Sequence, residues 1–443
     1  MPGAVPDPLF DALARGAGGE AITHLCAAQY GKHLLLLRRV VDAAHEEGHP
    51  EAGRAREAYE LLVRAQEHAP KPVGAVLRHP TVGVWARRTV LALTGHRTER
   101  PRVAGLSALA AAAALRARID ASIEVPLDGP TAPLPSLGRA LVGEGQREEG
   151  GFAWFETAGG RAGLGVRGRP RIQVPEDPHE DAPGWHALRR LTAEHRGMRV
   201  QVYLDDQDPD RMPGADLVEH RLGAEELRWW RLSLRRAWEL LVRDHWTIAR
   251  ESSAVIGTLT PITAPGGRIH TSATARHAFG NLGLSRPRGP VPLALTFAHE
   301  VQHAKLTALL DLVDLTLPDD GGRYYAPWRP DPRPASGLLQ GVYAHLGVAG
   351  FWRRHRHATE GDQARRAHVE FAHWRRCTID AARTLAGSGR LTTEGERFLA
   401  MTRATLSDWM SEPVPERAER SARDAARRHF ERWRARNAVP SRP

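Results

Sequence analysis

His299-Glu300-Val301-Gln302-His303 stands inside the run LALTFAHEVQHAKLTALLDLVDL, directly after Pro290-Val-Pro292. No other feature narrows the folding options of this chain as much. Side chains four residues apart share one face of an α-helix, so both imidazoles can meet one metal ion if this stretch is helical. The apolar spacing predicts such a helix from Leu293 to about Leu315. An imidazole in so apolar a helix needs a polar partner, and a metal ion is one. Glu300 is turned about 100° from His299, which lets it reach a metal-bound water or a partner of the ligands.

A catalytic metal site needs a third protein ligand and an open position. The extended protease motif would require glycine at position 306 and histidine at position 309, but the chain has Leu306 and Leu309. Glu360 and Glu370 are the nearest later glutamates, and their surroundings, RHATEGDQARRAHVEFAHWRR, read as a solvated face. Asp311 and Asp314 fall on the expected motif helix. Asp314 would lie about 16 Å along the axis from His303, too far to share an ion. His345 is the best-placed third ligand, in the otherwise apolar run LLQGVYAHLGVAGFW of the next helix. A core histidine is the other reading of that position. His355, His357, His368 and His373 read as surface groups. Between the two helices, Arg323 to Pro334 reads RYYAPWRPDPRP, a stiff loop. Its Arg329 and Arg333 can each bind a carboxylate through paired hydrogen bonds, or they belong to a rigid connection.

The rest of the chain sets the class. Residues 1–122 carry helical periodicity, punctuated by Pro80 and Pro101. The alanine-rich window Val103 to Leu115 reads as a buried helix and is far short of the ~20 residues of a membrane span. From Ser122 the texture changes, and IEVPL, FAWFET, IQVP and VQVYLDD read as short strands. Ala224 to Trp246 returns to a long helix whose tryptophans, Trp229, Trp230, Trp238 and Trp246, read as core. Ala254 to Thr263 reads as a strand broken by Pro261. The expected class is α+β, predominantly helical, with a small sheet beside the HExxH metal-binding helix, loosely zincin-like. Four regions follow: a helical one over 1–122, and a strand-rich one with the tryptophan helix over 123–260. The metal-site region spans 261–385, and a helical, arginine-rich region spans 386–443.

The two cysteines, Cys26 and Cys377, exclude a disulfide framework and a cysteine-based zinc site. Any metal must therefore be held by nitrogen and oxygen. A net charge of +10 raises nucleic acid as a partner. Only three lysines are present, Lys32, Lys71 and Lys305, so arginine supplies nearly all the positive charge. Heavy use of arginine with alanine, glycine and proline points to coding bias more than to a selected basic surface. No zinc-finger or RNP-like motif is present. Neither nucleic acid nor a membrane is an expected partner, and the first residues carry no basic, apolar secretory pattern, so a cytoplasmic location is expected.

The run SATARHAFGNLGLSRPRGP, the motif helix, YYAPWRPDPRP and GLLQGVYAHLGVAGFW together resemble the actinobacterial HExxH-domain proteins of ribosomal-peptide maturation clusters. These are known as α-ketoglutarate-dependent, HExxH-type peptide β-hydroxylases. RHPTVGVW, LAAAAALRA and IEVPLDGPTAPLPSLGR look similar to family segments upstream. The likeness spans roughly 20–410 and is most specific over 270–352. It implies that His299 and His303 bind Fe(II), with α-ketoglutarate and O2 as co-substrates. The implied reaction hydroxylates a β-carbon in a ribosomally made precursor peptide. His345 would be the third ligand by position, and Arg329 or Arg333 the anchor for the distal carboxylate of α-ketoglutarate. Glu300 would be a general base in a protease, whereas an oxygenase needs none, so there it would orient a ligand. The alternative is a zinc metallopeptidase using the same motif. A binding module with a decayed site is a third reading.

Overall fold

The structure, a computed structural model, describes residues 5–143, 151–264 and 271–437. Residues 1–4, 144–150, 265–270 and 438–443 of the expected regions lie outside it. Six helices come first: α1 (Asp7–Ala14), α2 (Glu20–Glu46), α3 (Ala52–His68), α4 (Pro70–Leu77), α5 (Pro80–Leu93) and α6 (Gly105–Ala117). Nine strands follow: β1 (Ala121–Pro126), β2 (Thr131–Leu134), β3 (Gly138–Leu141), β4 (Phe152–Ala158), β5 (Arg161–Gly165), β6 (Ile172–Gln173), β7 (Trp185–Ala187), β8 (Arg189–His195) and β9 (Met198–Leu204). Next come α7 (Ala224–Asp244), α8 (Trp246–Val255), β10 (Thr258–Pro261), β11 (Ser272–Ala273) and β12 (Asn281–Leu284). The chain ends in α9 (Pro290–Leu309), α10 (Ala335–His355), α11 (Gly361–Ala386), α12 (Thr393–Ser411) and α13 (Glu416–Asn437). The protein is thus α+β and predominantly helical.

The alanine window becomes α6, and Ala110 to Ala114 are each 0% exposed. A helix apolar on every side is buried on every side. It anchors a core that joins α2–α6 to a four-stranded sheet ordered β1-β4-β5-β6 and a three-stranded sheet ordered β2-β3-β7. Among the described residues no helix is long and apolar enough to cross a membrane.

The five-stranded sheet, ordered β11-β12-β10-β9-β8, positions the site. β10 runs parallel to β9 and β12, and β11 pairs antiparallel with β12 at Ser272↔Leu284 and Ala273↔Gly283. The inward residues of this sheet share one core with α7, α8 and the first half of α9. Phe297, fully buried there, contributes about 1.5–3 kcal/mol. The end of α9, from Leu306, belongs to a second core with α1, α10, α11 and α12. The motif helix is therefore packed against both cores, as its apolar sequence demands.

Two expectations need correction. Of the tryptophans on and after α7, Trp230 and Trp238 are core, but Trp229 and Trp246 are 39% and 44% exposed. Trp246 falls outside α7 because the helix stops at Asp244 and α8 starts afresh. Of the four histidines read as surface, His355 is buried, because its ring packs on Phe351 and Trp352.

Three buried histidines remain neutral. Burial lowers His79 and His179 to about 4. Burial and the neighbouring His355 lower His245 to about 3. Unfolding returns each towards the ordinary value of 6.5, so between pH 6.5 and about 4 the unfolded chain binds more protons. Stability should fall as pH drops through that window, by more than about 1 kcal/mol for each histidine. Urea unfolding at pH 7 and pH 5 checks this, and equal stabilities would contradict it.

Candidate metal centre

Helix α9 starts cleanly because Pro290 is at its first position, where no amide donor is needed. It ends at Leu309, not near Leu315 as its periodicity predicts. The chain turns there with Leu312 and Val313 N–H groups bonded to the Leu309 carbonyl. Asp311 accepts hydrogen bonds from Lys32 at 2.7 Å and Gln29 at 2.8 Å, both on α2. Asp314, set aside as a ligand by its distance from His303, lines the same large cavity as the motif histidines, but among the described residues it joins them in no group arranged to hold a metal.

That cavity, about 740 Å³, gathers the six residues given a role in the site from the sequence: His299, Glu300, His303, Arg329, Arg333 and His345. Glu360 and Glu370 do not line it. Glu370 Oε2 instead accepts the Trp374 indole N–H at 3.0 Å.

Two glycines explain how α10 delivers His345. A Cβ on Gly347 would sit 2.5 Å from the Ala298 carbonyl oxygen on α9, so the helices touch there through bare backbone. A Cβ on Gly341 would overlap the Trp328 indole. Trp328 uses that space to stack on His345 at 4.2 Å between ring centroids and 14° between planes. Trp374 covers the ring from another side at 4.8 Å. His345 meets His299 edge-to-face at 5.3 Å, and His299 meets His303 the same way at 4.7 Å.

The hydrogen bonds set the tautomers. His299 Nδ1 lies 2.9 Å from Glu300 Oε1, His303 Nδ1 lies 3.0 Å from Gln340 Oε1, and His345 Nδ1 lies 2.8 Å from the Gly341 carbonyl. All three partners are acceptors, so each Nδ1 carries the proton and donates it. Each Nε2 is then left with its lone pair, as in histidines that bind metal through Nε2. Burial and the charge of His299 lower His303, and the same two causes push His345 well below its ordinary value, so both stay neutral. The donor chemistry fits a metal ion. Among the described residues, however, no group of three or more His, Cys, Asp or Glu side chains is arranged to hold one. The three imidazoles share donor chemistry and a cavity, not a closed shell.

Glu300 is 2% exposed. Burial works against its charge. The hydrogen bonds from His299 and from the Ser272 hydroxyl at 2.7 Å outweigh burial and hold its carboxyl below the ordinary range. Ser272 is on β11, so the sheet edge reaches the motif helix through this one hydrogen bond. Oε1 is fully committed, while Oε2 is buried with no partner among the described residues.

The sequence reading missed four contributors. Gln340 and Ser272 are polar residues that only the fold brings to the histidines. Trp328 lies in the aromatic loop whose stiffness was noted, closed by paired backbone hydrogen bonds between Tyr324 and Arg333. Asp331 lies between the two arginines and takes Arg329 at 3.0 Å and Arg333 at 3.5 Å. The loop therefore carries its own carboxylate against both guanidinium groups.

Gly347→Ala should separate α9 from α10, cost about 1–3 kcal/mol, and loosen His345. Chemical denaturation measures the loss. Wild-type stability in this variant would mean that the helix contact is not as close as stated. Family models and curated proteins compared with this sequence give no match.

Proposed function

We propose that this chain is an Fe(II)- and α-ketoglutarate-dependent dioxygenase that β-hydroxylates a residue of a ribosomally made precursor peptide. The observation that carries the reading is the single cavity shared by His299, His303, His345, Arg329 and Arg333. It joins the resemblance over residues 270–352. On this reading the three histidines would hold iron through Nε2, leaving three positions of an octahedron. Bound iron, with α-ketoglutarate and O2, supplies the oxidising power for C–H hydroxylation. The chain's own residues do the rest. Glu300, Gln340 and the Gly341 carbonyl hold the Nδ1 protons and fix the rings. Trp328 and Trp374 keep water from His345. Glu300 would act by orienting His299 through Oε1. The zinc metallopeptidase is the second reading, on the same two motif histidines and Glu300.

Anaerobic addition of Fe(II) and α-ketoglutarate should produce a visible charge-transfer band that His299→Ala abolishes. Absence of the band together with no α-ketoglutarate binding would sink the proposal. A precursor peptide incubated with the protein, Fe(II) and α-ketoglutarate should gain the mass of one oxygen atom. Its cleavage would favour the zinc reading.

Asp331 sharpens the arginine assignment. A distal carboxylate must displace Asp331 from Arg329 and Arg333, so Asp331→Asn should tighten α-ketoglutarate binding. Replacing both arginines by alanine should weaken it by tenfold or more, about 1.4 kcal/mol. Titration of the charge-transfer band reads both, and unchanged affinities would remove the arginines from the role.

A further inference from the structure

The loop after β9 reads Asp205-Asp206-Gln207-Asp208-Pro209-Asp210-Arg211. Buried carboxylates need counter-charges or ligands. Two of these have counter-charges. Asp206 is held by Arg189 and Arg221. Asp210 takes Arg88 at 2.5 Å and Arg102 at 2.6 Å.

Asp205 and Asp208 face a cavity of about 30 Å³ instead. Asp205 is 0% exposed. Its Oδ1 accepts the N–H groups of Gln207 at 3.1 Å and Asp208 at 3.0 Å, while its Oδ2 is buried without a partner. Arg211 is the cation that acts on Asp205, but it donates to the Asp208 and Val218 carbonyls. Asp208 Oδ1 accepts the Asp210 N–H at 2.8 Å, yet burial and the charges of Asp205 and Asp210 push its carboxyl up to about 6.

Two further oxygens complete the lining. Gln207 also lines the cavity, and its Nε2 donates to the Ala187 carbonyl at 2.9 Å, which fixes the amide and leaves Oε1 buried and unpartnered. Ser136 Oγ is likewise buried and unpartnered. Ser136 sits in the turn from β2 to β3, where Leu137 N–H bonds the Leu134 carbonyl, Pro135 precedes it, and its own φ is 69°. This is the position of a type II turn that favours glycine. Serine tolerates the strained backbone there and places a hydroxyl on the cavity. Neither basic side chain of the lining fills the space. Arg139 reaches the Gln207 carbonyl, and His79 is bonded to Thr81 and kept neutral by burial.

We propose that this cavity binds one calcium ion through side-chain oxygens of Asp205, Asp208, Gln207 and Ser136. Two carboxylates with neutral oxygens make a hard, all-oxygen donor set. Magnesium demands a near-ideal octahedron and dehydrates reluctantly, whereas calcium takes about six to eight oxygens in a flexible shell that waters entering the cavity would complete. The ion would pin the β2–β3 turn to the loop after β9, joining the three-stranded sheet to the five-stranded one. None of this depends on the histidine cavity.

The test uses the full chain carrying His299→Ala and His303→Ala, so that imidazole-bound metal cannot contribute. After EDTA treatment and dialysis, about 1 mM CaCl2 should raise Tm by at least about 2 °C, with a smaller rise in MgCl2. Asp205→Asn should remove the rise. Ser136→Gly, which suits the backbone and should fold, should weaken calcium binding about tenfold by calorimetry. No rise with CaCl2, the result for a cavity that holds only water, overturns the proposal. So does a full rise retained in both variants.

Discussion

α10 can lie against α9 only because Gly347 has no side chain. Everything at the candidate metal centre depends on that contact. Close packing of two apolar helices is favourable in itself, but side chains normally hold the axes about 8–10 Å apart. Here backbone meets backbone, and His345, two residues earlier on α10, is carried up to His299. Gly341, one turn earlier, vacates the space that Trp328 fills. The stack of Trp328 on His345 then holds the ring in one orientation, and the Gly341 carbonyl holds its Nδ1 proton. One glycine sets the distance, and the other sets the ring.

The same face of α9 is also fixed by charge. Lys305 is 1% exposed, yet donates to Glu251 at 2.7 Å and to the Gly16 carbonyl at 2.9 Å. Gln302 reaches the same carbonyl at 3.1 Å. A buried pair of this kind adds little net stability over an apolar packing, but removing one partner alone leaves an expensive stranded charge. Its effect is to specify how α9 sits against α8 and the turn after α1. That face of the helix is therefore held by bare backbone at Ala298 and by a buried ion pair two turns further on, and the histidines lie on the adjoining face.

Much of this was legible in the sequence, and the rest was hidden for physical reasons. Local periodicity gave the buried alanine helix and placed the motif on a helix, because both follow from spacing within one element. The position of His345 in an apolar helix was enough to send it to the cavity. The end of α9 was not legible, since the residues beyond Leu309 keep helical spacing, and the partners of Asp311 there, Lys32 and Gln29, are far away in sequence. The same long-range origin hid Ser272 and Gln340. His355 was misread because a basic neighbourhood, RRHRH, suggested exposure, while helical geometry turns that one ring onto Phe351. Asp331 was in plain view, but its hold on both arginines depends on how the loop folds back on itself.

Charge decides what such a centre can do. Three neutral imidazoles bring no negative charge to a divalent cation, unlike a set containing a carboxylate. Here the negative charge sits one bond further out, on Glu300, which stays ionised although buried because His299 and Ser272 both donate to it. A carboxylate that accepts the Nδ1 proton of a ligand makes that ligand's Nε2 a stronger donor. On the proposed reading, this is the use of the motif glutamate: it supplies charge through His299 and leaves the open positions to the co-substrate. A peptidase would use the other oxygen of the glutamate to take a proton. Iron and zinc accept the same imidazoles, so the ligands do not separate the two chemistries. Nor does Glu300 by itself: Oε1 is committed to His299 and Ser272, while Oε2 is buried with no partner among the described residues and is open to a proton.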